Sequence, residues 1–387
     1  MSVRNRRAHD ATRAVALAFA VLAAAFAAGC GAEGGKLVVG VVDDTARAGP
    51  PGAFIDGLTK GGFDALAISS IWEPGETEPD EAETEALRLV AAAADAAGVR
   101  LFIIVYQPGS ATTPLIAETR SAFADYAAAV AGRLETVHDL IVGNEPNLNR
   151  FWLPQFGPDG DNVSAGAYLD LLGETYDRVK AARDDVRIWG GATAPRGADR
   201  PRASRQTTSP TAFIRALGDA YRRSGRSRPV MDGFVHHPYP ESANVPIDLP
   251  HPNVTSIGLA DHGKLVRLLS EAFDGTAQKG TDLPILYGEI GIETPIPATK
   301  RAAYTEAEIA ATASEGEQAA AYRRTLELAV CQGVAGVLFF HLQDEVSLIG
   351  WQSGIRYADA TPKESFAPVR AAVTEARDGK LDTRCGS

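Results

Sequence analysis

From Lys36 onward, short runs rich in Val, Ile and Leu alternate eight times with longer stretches whose apolar residues recur every three or four positions. Nothing else in the chain restricts its fold as much, because a strand followed by a helix, repeated without a linker, builds a parallel sheet covered by helices. Strands are expected at 36–42, 65–71, 100–106, 139–143, 186–191, 231–236, 284–288 and 334–341. Helical spacing is clear in Ala86, Leu89, Val90 and Ala93, and again in Tyr168, Leu171, Leu172 and Tyr176. Ser209 and Pro210 open the fifth helix, Ser314 with Glu317 forms a capping box for the seventh, and the last helix begins near Lys363 with Phe366, Val369 and Val373 on its apolar face. Eight such units over about 340 residues predict a single-domain α/β fold, the (β/α)₈ TIM barrel. An open, doubly wound sheet would carry a glycine-rich phosphate loop after the first strand, and Val41-Val42-Asp43-Asp44-Thr45 is not one.

The residues before the barrel read differently. Arg4, Arg6, Arg7 and Arg13 precede an apolar stretch that ends at Ala27-Ala28-Gly29-Cys30, the layout of an export signal. Small residues before a single Cys resemble the lipobox of bacterial lipoproteins, which implies that Cys30 is the lipid attachment point. An ordinary cleaved signal or an uncleaved anchor is the alternative. The chain is thus divided into a signal segment at 1–30, a flexible tether at 31–36, the barrel at 37–380 and a tail at 381–387. The expected product is exported and monomeric, lipid-anchored to the outer face of the cytoplasmic membrane or the cell surface, and meets membrane only through that anchor.

Charge narrows the partners. The chain carries a net charge of −11, and removing the four arginines and Asp10 of the leader makes this −14, which argues against nucleic acid. Cys331 and Cys385 can pair in an oxidising compartment, the alternative being a buried thiol and a loose tail cysteine. No metal site, phosphate loop or cofactor motif is visible: His236 and His237 are adjacent, so on a strand they point to opposite faces.

In a barrel of this kind, chemistry belongs to the C-terminal ends of the strands. The fourth strand runs into Asn144-Glu145-Pro146 and the seventh into Glu289-Ile290-Gly291, so each delivers one carboxylate to the mouth. Two carboxyl groups facing each other across a cleft suit glycosidic bond cleavage, in which one donates a proton to the leaving oxygen and the other attacks or stabilises the anomeric carbon. The sixth strand adds Phe234-Val235-His236-His237-Pro238-Tyr239. Together the Asn-Glu-Pro after strand four, the Glu at strand seven and the His-x-Tyr at strand six resemble glycoside hydrolase clan A, whose members are retaining (β/α)₈ enzymes, and most closely families 5 and 39.

That resemblance implies Glu145 as general acid/base, Glu289 as nucleophile, Asn144 on the sugar 2-hydroxyl, and His237 and Tyr239 beside the nucleophile. A Tyr239 hydroxyl on Glu289 would keep that carboxylate ionised, while His236 reads as a satisfied core residue. The pattern also departs from family 5. Ser69-Ser70-Ile71-Trp72 and Val105-Tyr106-Gln107 stand where the family has an Arg and a His, and Phe340-His341-Leu342 stands where it has a floor Trp. Aromatic platforms for a sugar ring are sought in Trp72, Phe151, Trp152 and Trp351, and hydroxyl partners in Gln343, with Asp43, Gln107 and Asp344 on the same rim. The expected function is a retaining glycoside hydrolase acting on an extracellular or envelope polysaccharide or oligosaccharide. The alternative is a surface carbohydrate-binding lipoprotein that kept the barrel without turnover. The insertions at 195–209, 240–261 and 294–314 are expected to shape the cleft.

Overall fold

A computed structural model describes residues 36–307 and 313–383. Eight parallel strands close into one barrel in chain order: β1 (Val38–Val42), β2 (Ala65–Ile71), β3 (Arg100–Tyr106), β4 (Asp139–Val142), β5 (Arg187–Thr193), β6 (Gly233–His236), β7 (Ile285–Ile290) and β8 (Gly336–Phe340). β8 pairs with β1 from Val38–Gly336 to Val42–Phe340, which removes both sheet edges. The helices that follow are α1 (Pro51–Lys60), α2 (Glu81–Ala96), α3 (Ala117–Arg133), α4 (Ser164–Ala182), α5 (Pro210–Ser224), α6 (His262–Phe273), α7 (Glu315–Gln332) and α8 (Phe366–Arg377). The expected single-domain (β/α)₈ barrel is therefore the observed one.

Strand alternation sorts side chains into two cores. On β3, Leu101, Ile103 and Val105 point outward into the layer shared with the helices, whereas Phe102 and Ile104 point inward. Inside, Trp189 fills the lower barrel against Phe102, with ring centroids 6.3 Å apart. Gly233 makes room for it, since a Cβ there would lie 2.4 Å from the indole. At the N-terminal end, Arg100 makes a two-pronged pair with Asp139, both contacts at 2.7 Å, and Trp189 Nε1 donates to Asp139 at 2.8 Å. This floor supports the barrel and leaves the opposite end free for chemistry.

The capping residues act as the sequence predicts. Ser209 caps α5 with Pro210 in its first turn, and Ser314 with Glu317 forms the capping box of α7. Several boundaries shift. β7 continues to Ile290, so Glu289 sits within the strand rather than after it. α8 begins at Phe366, not near Lys363, because the Lys363 side chain is turned inward to a buried ion pair with Asp344. Leu381, assigned to the tail, is buried in the helix-side core. Cys331 on α7 is disulfide-bonded. Its expected partner Cys385 lies outside the described residues, as do Cys30, the leader and the proposed tether up to Gly35. Among the described residues no helix is long and apolar enough to cross a membrane.

Candidate active site

The mouth of the barrel begins with a strained turn after β4. Gly143 and Glu145 have φ of 82° and 40°, a left-handed conformation costly for a glutamate. Surrounding contacts hold it. Tyr168 on α4 donates its hydroxyl to Val142 O and accepts from Gly191 N, both at 2.8 Å, while Glu145 N donates to Ala192 O at 2.8 Å. Asn147 bridges to the segment after β5, accepting from Ala194 N and donating to Thr208 O, both at 2.9 Å. The Asn-Glu-Pro-Asn sequence thus folds as one clamped corner that aims Glu145 into the cleft.

β7 delivers Glu289 from the other side. Between the two, from the segment after β6, the buried His237 places Nδ1 at 3.3 Å from Glu145 Oε1 and 3.7 Å from Glu289 Oε2. Those two carboxylate oxygens therefore lie no more than 7.0 Å apart, the sum of the two contacts. Tyr239 donates its hydroxyl to Glu289 Oε2 at 3.2 Å. The four side chains, from β7 and the segments after β4 and β6, form two hydrogen-bonded pairs, joined by the 3.7 Å contact of His237 with Glu289, at the base of a cleft of about 990 Å³.

Burial governs their proton affinities. Desolvation raises Glu289 above the ordinary carboxylate range and the negative charge of Glu145 adds to this, while the charge of His237 and the Tyr239 hydroxyl pull it down without cancelling the rise. Tyr239 itself is held well above its ordinary value by burial and by the two glutamates. For His237 burial acts downward, but the charges of Glu289 and Glu145 outweigh it, so the imidazole holds its proton more tightly than usual. The expected Tyr239 bond is present, yet burial outweighs its effect on Glu289.

The structure gathers Asn144, Glu145, Tyr239, Glu289 and Trp351 around the cleft, with His237 buried directly behind them. Trp351 packs against Tyr239 at 5.5 Å and meets Phe340 edge-on at 5.4 Å, so it stands on the wall beside β8. Phe151 also lines the cleft, as expected. Trp72 and Trp152 do not. Trp72 is fully buried, donates Nε1 to Glu76 O at 2.8 Å and packs edge-on against Phe123 in the helix-side core. Trp152 is buried edge-on against Tyr168. Both follow strand ends, but their segments fold the indoles down between sheet and helices, where their apolar area is better buried.

Gln343 is also turned away: its amide donates to Ala358 O at 2.9 Å, bracing the segment after β8. Asp43, Gln107 and Asp344 are buried and bonded to Leu342 N, Phe151 O and Lys363 respectively; Asp43 still lines the cleft, whereas Gln107 and Asp344 brace the rim from behind. His236 is the satisfied core residue expected, bonded to Thr193 Oγ1 and Ile257 O at 2.9 Å each, with burial pushing it down to about 4.

Sequence reasoning named Tyr106, Phe340 and His341 only as departures from family 5 and passed over Arg150 and Arg196; all five line the cleft. Each follows or ends a strand, which was the available signal. His341, at φ 97°, is a second strained strand-end residue, with its ring stacked 3.9 Å from Phe340. Among the described residues no cluster of His, Cys, Asp and Glu is arranged to hold a metal ion.

No family model matches the chain, and no curated protein does. Solved structures do. The chain is similar to a family 39 glycoside hydrolase from the gut symbiont Bacteroides cellulosilyticus WH2, at TM-score 0.63 and 19% identity over 89% of this chain and 64% of that one. It is similar to GH5_18 from Streptomyces cattleya in complex with GlcNAc, at TM-score 0.59 and 16% identity over 90% and 82%. It is also similar to the exo-β-1,4-mannosidase Op5Man5 from Opitutaceae bacterium strain TAV5, at TM-score 0.56 and 17% identity over 89% and 60%. The chain thus spans less than two thirds of the first and third of these. At such identities the likeness is one of fold: a closed (β/α)₈ barrel shared with solved members of glycoside hydrolase families 39 and 5.

Proposed function

We propose that the protein is a retaining glycoside hydrolase in which Glu289 is the nucleophile and Glu145 the general acid/base. The observation that carries this reading is that the two carboxylates reach the same His237 nitrogen from opposite sides of the cleft, at 3.3 and 3.7 Å. A retaining pair is separated by ~5–5.5 Å and an inverting pair by ~6.5–9.5 Å, so an upper bound of 7.0 Å between the nearest oxygens admits the whole of the first range and only the shortest part of the second. Glu289 is the partner bonded to a hydroxyl donor and flanked by the imidazole, two contacts that favour its anion against the burial that opposes it. A protonated His237 beside it offsets part of the burial penalty. Glu145 lacks the tyrosine donor, and in this reading it protonates the leaving oxygen.

In the first step Glu289 Oε attacks the anomeric carbon, the glycosidic C–O bond breaks, and Glu145 gives its proton to the departing oxygen. In the second step Glu145, now the base, takes a proton from water, whose oxygen displaces Glu289. We assign Asn144, which lines the cleft next to Glu145, to the sugar hydroxyls and Trp351 to the apolar face of the ring. We assign the substrate to poly- or oligosaccharides outside the cytoplasm, on the strength of the lipoprotein-like leader, and the working form to a monomer.

Azide rescue tests the roles. The Glu145→Ala variant should regain turnover of an activated aryl glycoside with azide and give a glycosyl azide of retained configuration, whereas Glu289→Ala should give the inverted one. Loss of activity by less than the 10²–10⁴ expected for general acid/base assistance in either variant, or the two azide products exchanged, would overturn the assignment.

A further inference from the structure

The cleft is electrically lopsided. Its acidic lining outside the proposed catalytic pair is Asp43 and Asp44 after β1, Glu241 after β6, Glu293 after β7 and Glu345 after β8, whereas both cleft-lining arginines, Arg150 and Arg196, follow β4 and β5. Arg196 donates Nη1 to Tyr239 O at 2.9 Å, which fixes the guanidinium in the wall. The charges of Glu241 and Glu145 act on it, but neither lies within 4.0 Å of it. Farther along the same segment Arg200, Arg202 and Arg205 are exposed. None of these five arginines has an ion-pair partner among the described residues, whereas Arg100, Arg226 and Arg324 are all paired.

The segment is also built to stay put. Leu148 and Thr207 form an antiparallel bridge between the segments after β4 and β5, Asp199 Oδ1 accepts from Ser209 N at 2.7 Å, and Gln206 donates to Pro201 O at 2.7 Å. A Cβ at Gly197 would lie 2.1 Å from Thr208 O, so the two arms of this loop approach closely. Guanidinium groups without an ion-pair partner, two of them lining the cleft, locally offset the field that a chain with net charge −11 would otherwise set against anions.

Resting on the glycosidase reading, we propose that the wall formed after β4 and β5 is a binding site for the carboxylate or sulfate groups of an anionic glycan. Arg196 is its anchor on the leaving-group side of Glu145, Arg150 lines the cleft with it, and the exposed Arg200, Arg202 and Arg205 on the same segment as Arg196 add positive charge to that side. Guanidinium is suited to this because its planar fork matches carboxylate and sulfate oxygens with paired hydrogen bonds. The acidic lining on the other wall gives the site a direction: an anionic unit fits on the Glu145 side and is repelled from the β7–β8 side.

The test uses the full chain carrying Glu289→Gln, and measures calorimetric affinity for uronate- and sulfate-bearing oligosaccharides, each beside its carboxyl-reduced or desulfated counterpart. At least one anionic member should bind about tenfold or more tightly than its neutral twin, the fold-change of a charge-assisted hydrogen bond. Raising salt from about 0.05 to about 0.5 M should shrink that preference. Arg196→Gln keeps an amide donor for Tyr239 O while removing the charge, and should abolish most of the preference; replacing Arg200, Arg202 and Arg205 together with Ser should weaken it further. Equal affinity for every pair, binding of neither member, or a preference untouched by Arg196→Gln would overturn the proposal. Because binding is read without turnover, these outcomes stand apart from failure of the glycosidase reading, which is a loss of hydrolysis by the parent enzyme on neutral and anionic glycosides alike.

Discussion

Replacing Lys363 with Met should destabilise the protein far more than an ordinary surface change. Lys363 and Asp344 have side chains with 0% exposure each, and Nζ donates to Asp344 Oδ1 and Thr294 Oγ1 at 2.8 Å and to Gln352 O at 3.0 Å. Asp344 also accepts from Tyr304 Oη at 2.8 Å and Gly354 N at 3.0 Å. The pair therefore ties the segments after β7 and β8 together beneath Trp351. Removing one member of a buried pair costs about 3–5 kcal/mol, because the other is left uncompensated. Asp344 can escape part of that cost by taking up a proton, since burial already holds its carboxyl up at about 6 with the lysine in place.

The sign of the pH dependence follows. A carboxyl raised on folding favours the folded state at low pH and loses that contribution as pH climbs through the folded value. Without Lys363 the carboxyl rises further, so the deficit should be near 3 kcal/mol at neutral pH, and should shrink as the pH falls toward about 6, below which the carboxyl is protonated in parent and variant alike and the deficit levels off. Urea unfolding followed by tryptophan fluorescence measures it. The double variant Lys363→Met with Asp344→Leu should recover much of the loss. A single variant less than about 1 kcal/mol below the parent, or a double variant worse than the single, would refute the idea that the pair matters through charge compensation.

Other outcomes follow from the site. Tyr239→Phe removes a hydroxyl that pulls Glu289 down, so Glu289 rises further; the acid limb of the kcat/KM profile should move to higher pH, and an unmoved limb would separate Tyr239 from the nucleophile. Trp351→Ala should raise KM roughly tenfold with little change in kcat if the indole carries a sugar face, whereas Trp72→Phe, deep in the helix-side core, should alter stability and leave KM alone.

Much of this was legible in the sequence, for identifiable reasons. Barrel strands are buried on both faces, so they read as unbroken apolar runs, and all eight stand out. The two glutamates proposed as the catalytic pair were legible because each stands at the end of such a run. What sequence could not rank was direction. Trp72, Trp152 and Trp351 all follow strand ends, and only the tertiary path of each segment decides whether the indole enters the core or the cleft. Arg196 was hidden in a segment read merely as an insertion, since its importance depends on Tyr239, which lies 43 positions away. The rise of Glu289 escaped for a similar reason: a hydrogen-bond donor can be guessed from a motif, but the depth of burial that outweighs it cannot.

The central claim, that Glu289 forms a covalent bond to the sugar, is tested most directly by trapping. An activated 2-deoxy-2-fluoro glycoside of a hydrolysed sugar should inactivate the enzyme, and mass spectrometry of the digest should find one fluorosugar on the peptide that carries Glu289. A label on any other residue, or hydrolysis of the parent glycoside with inverted configuration, would contradict the mechanism.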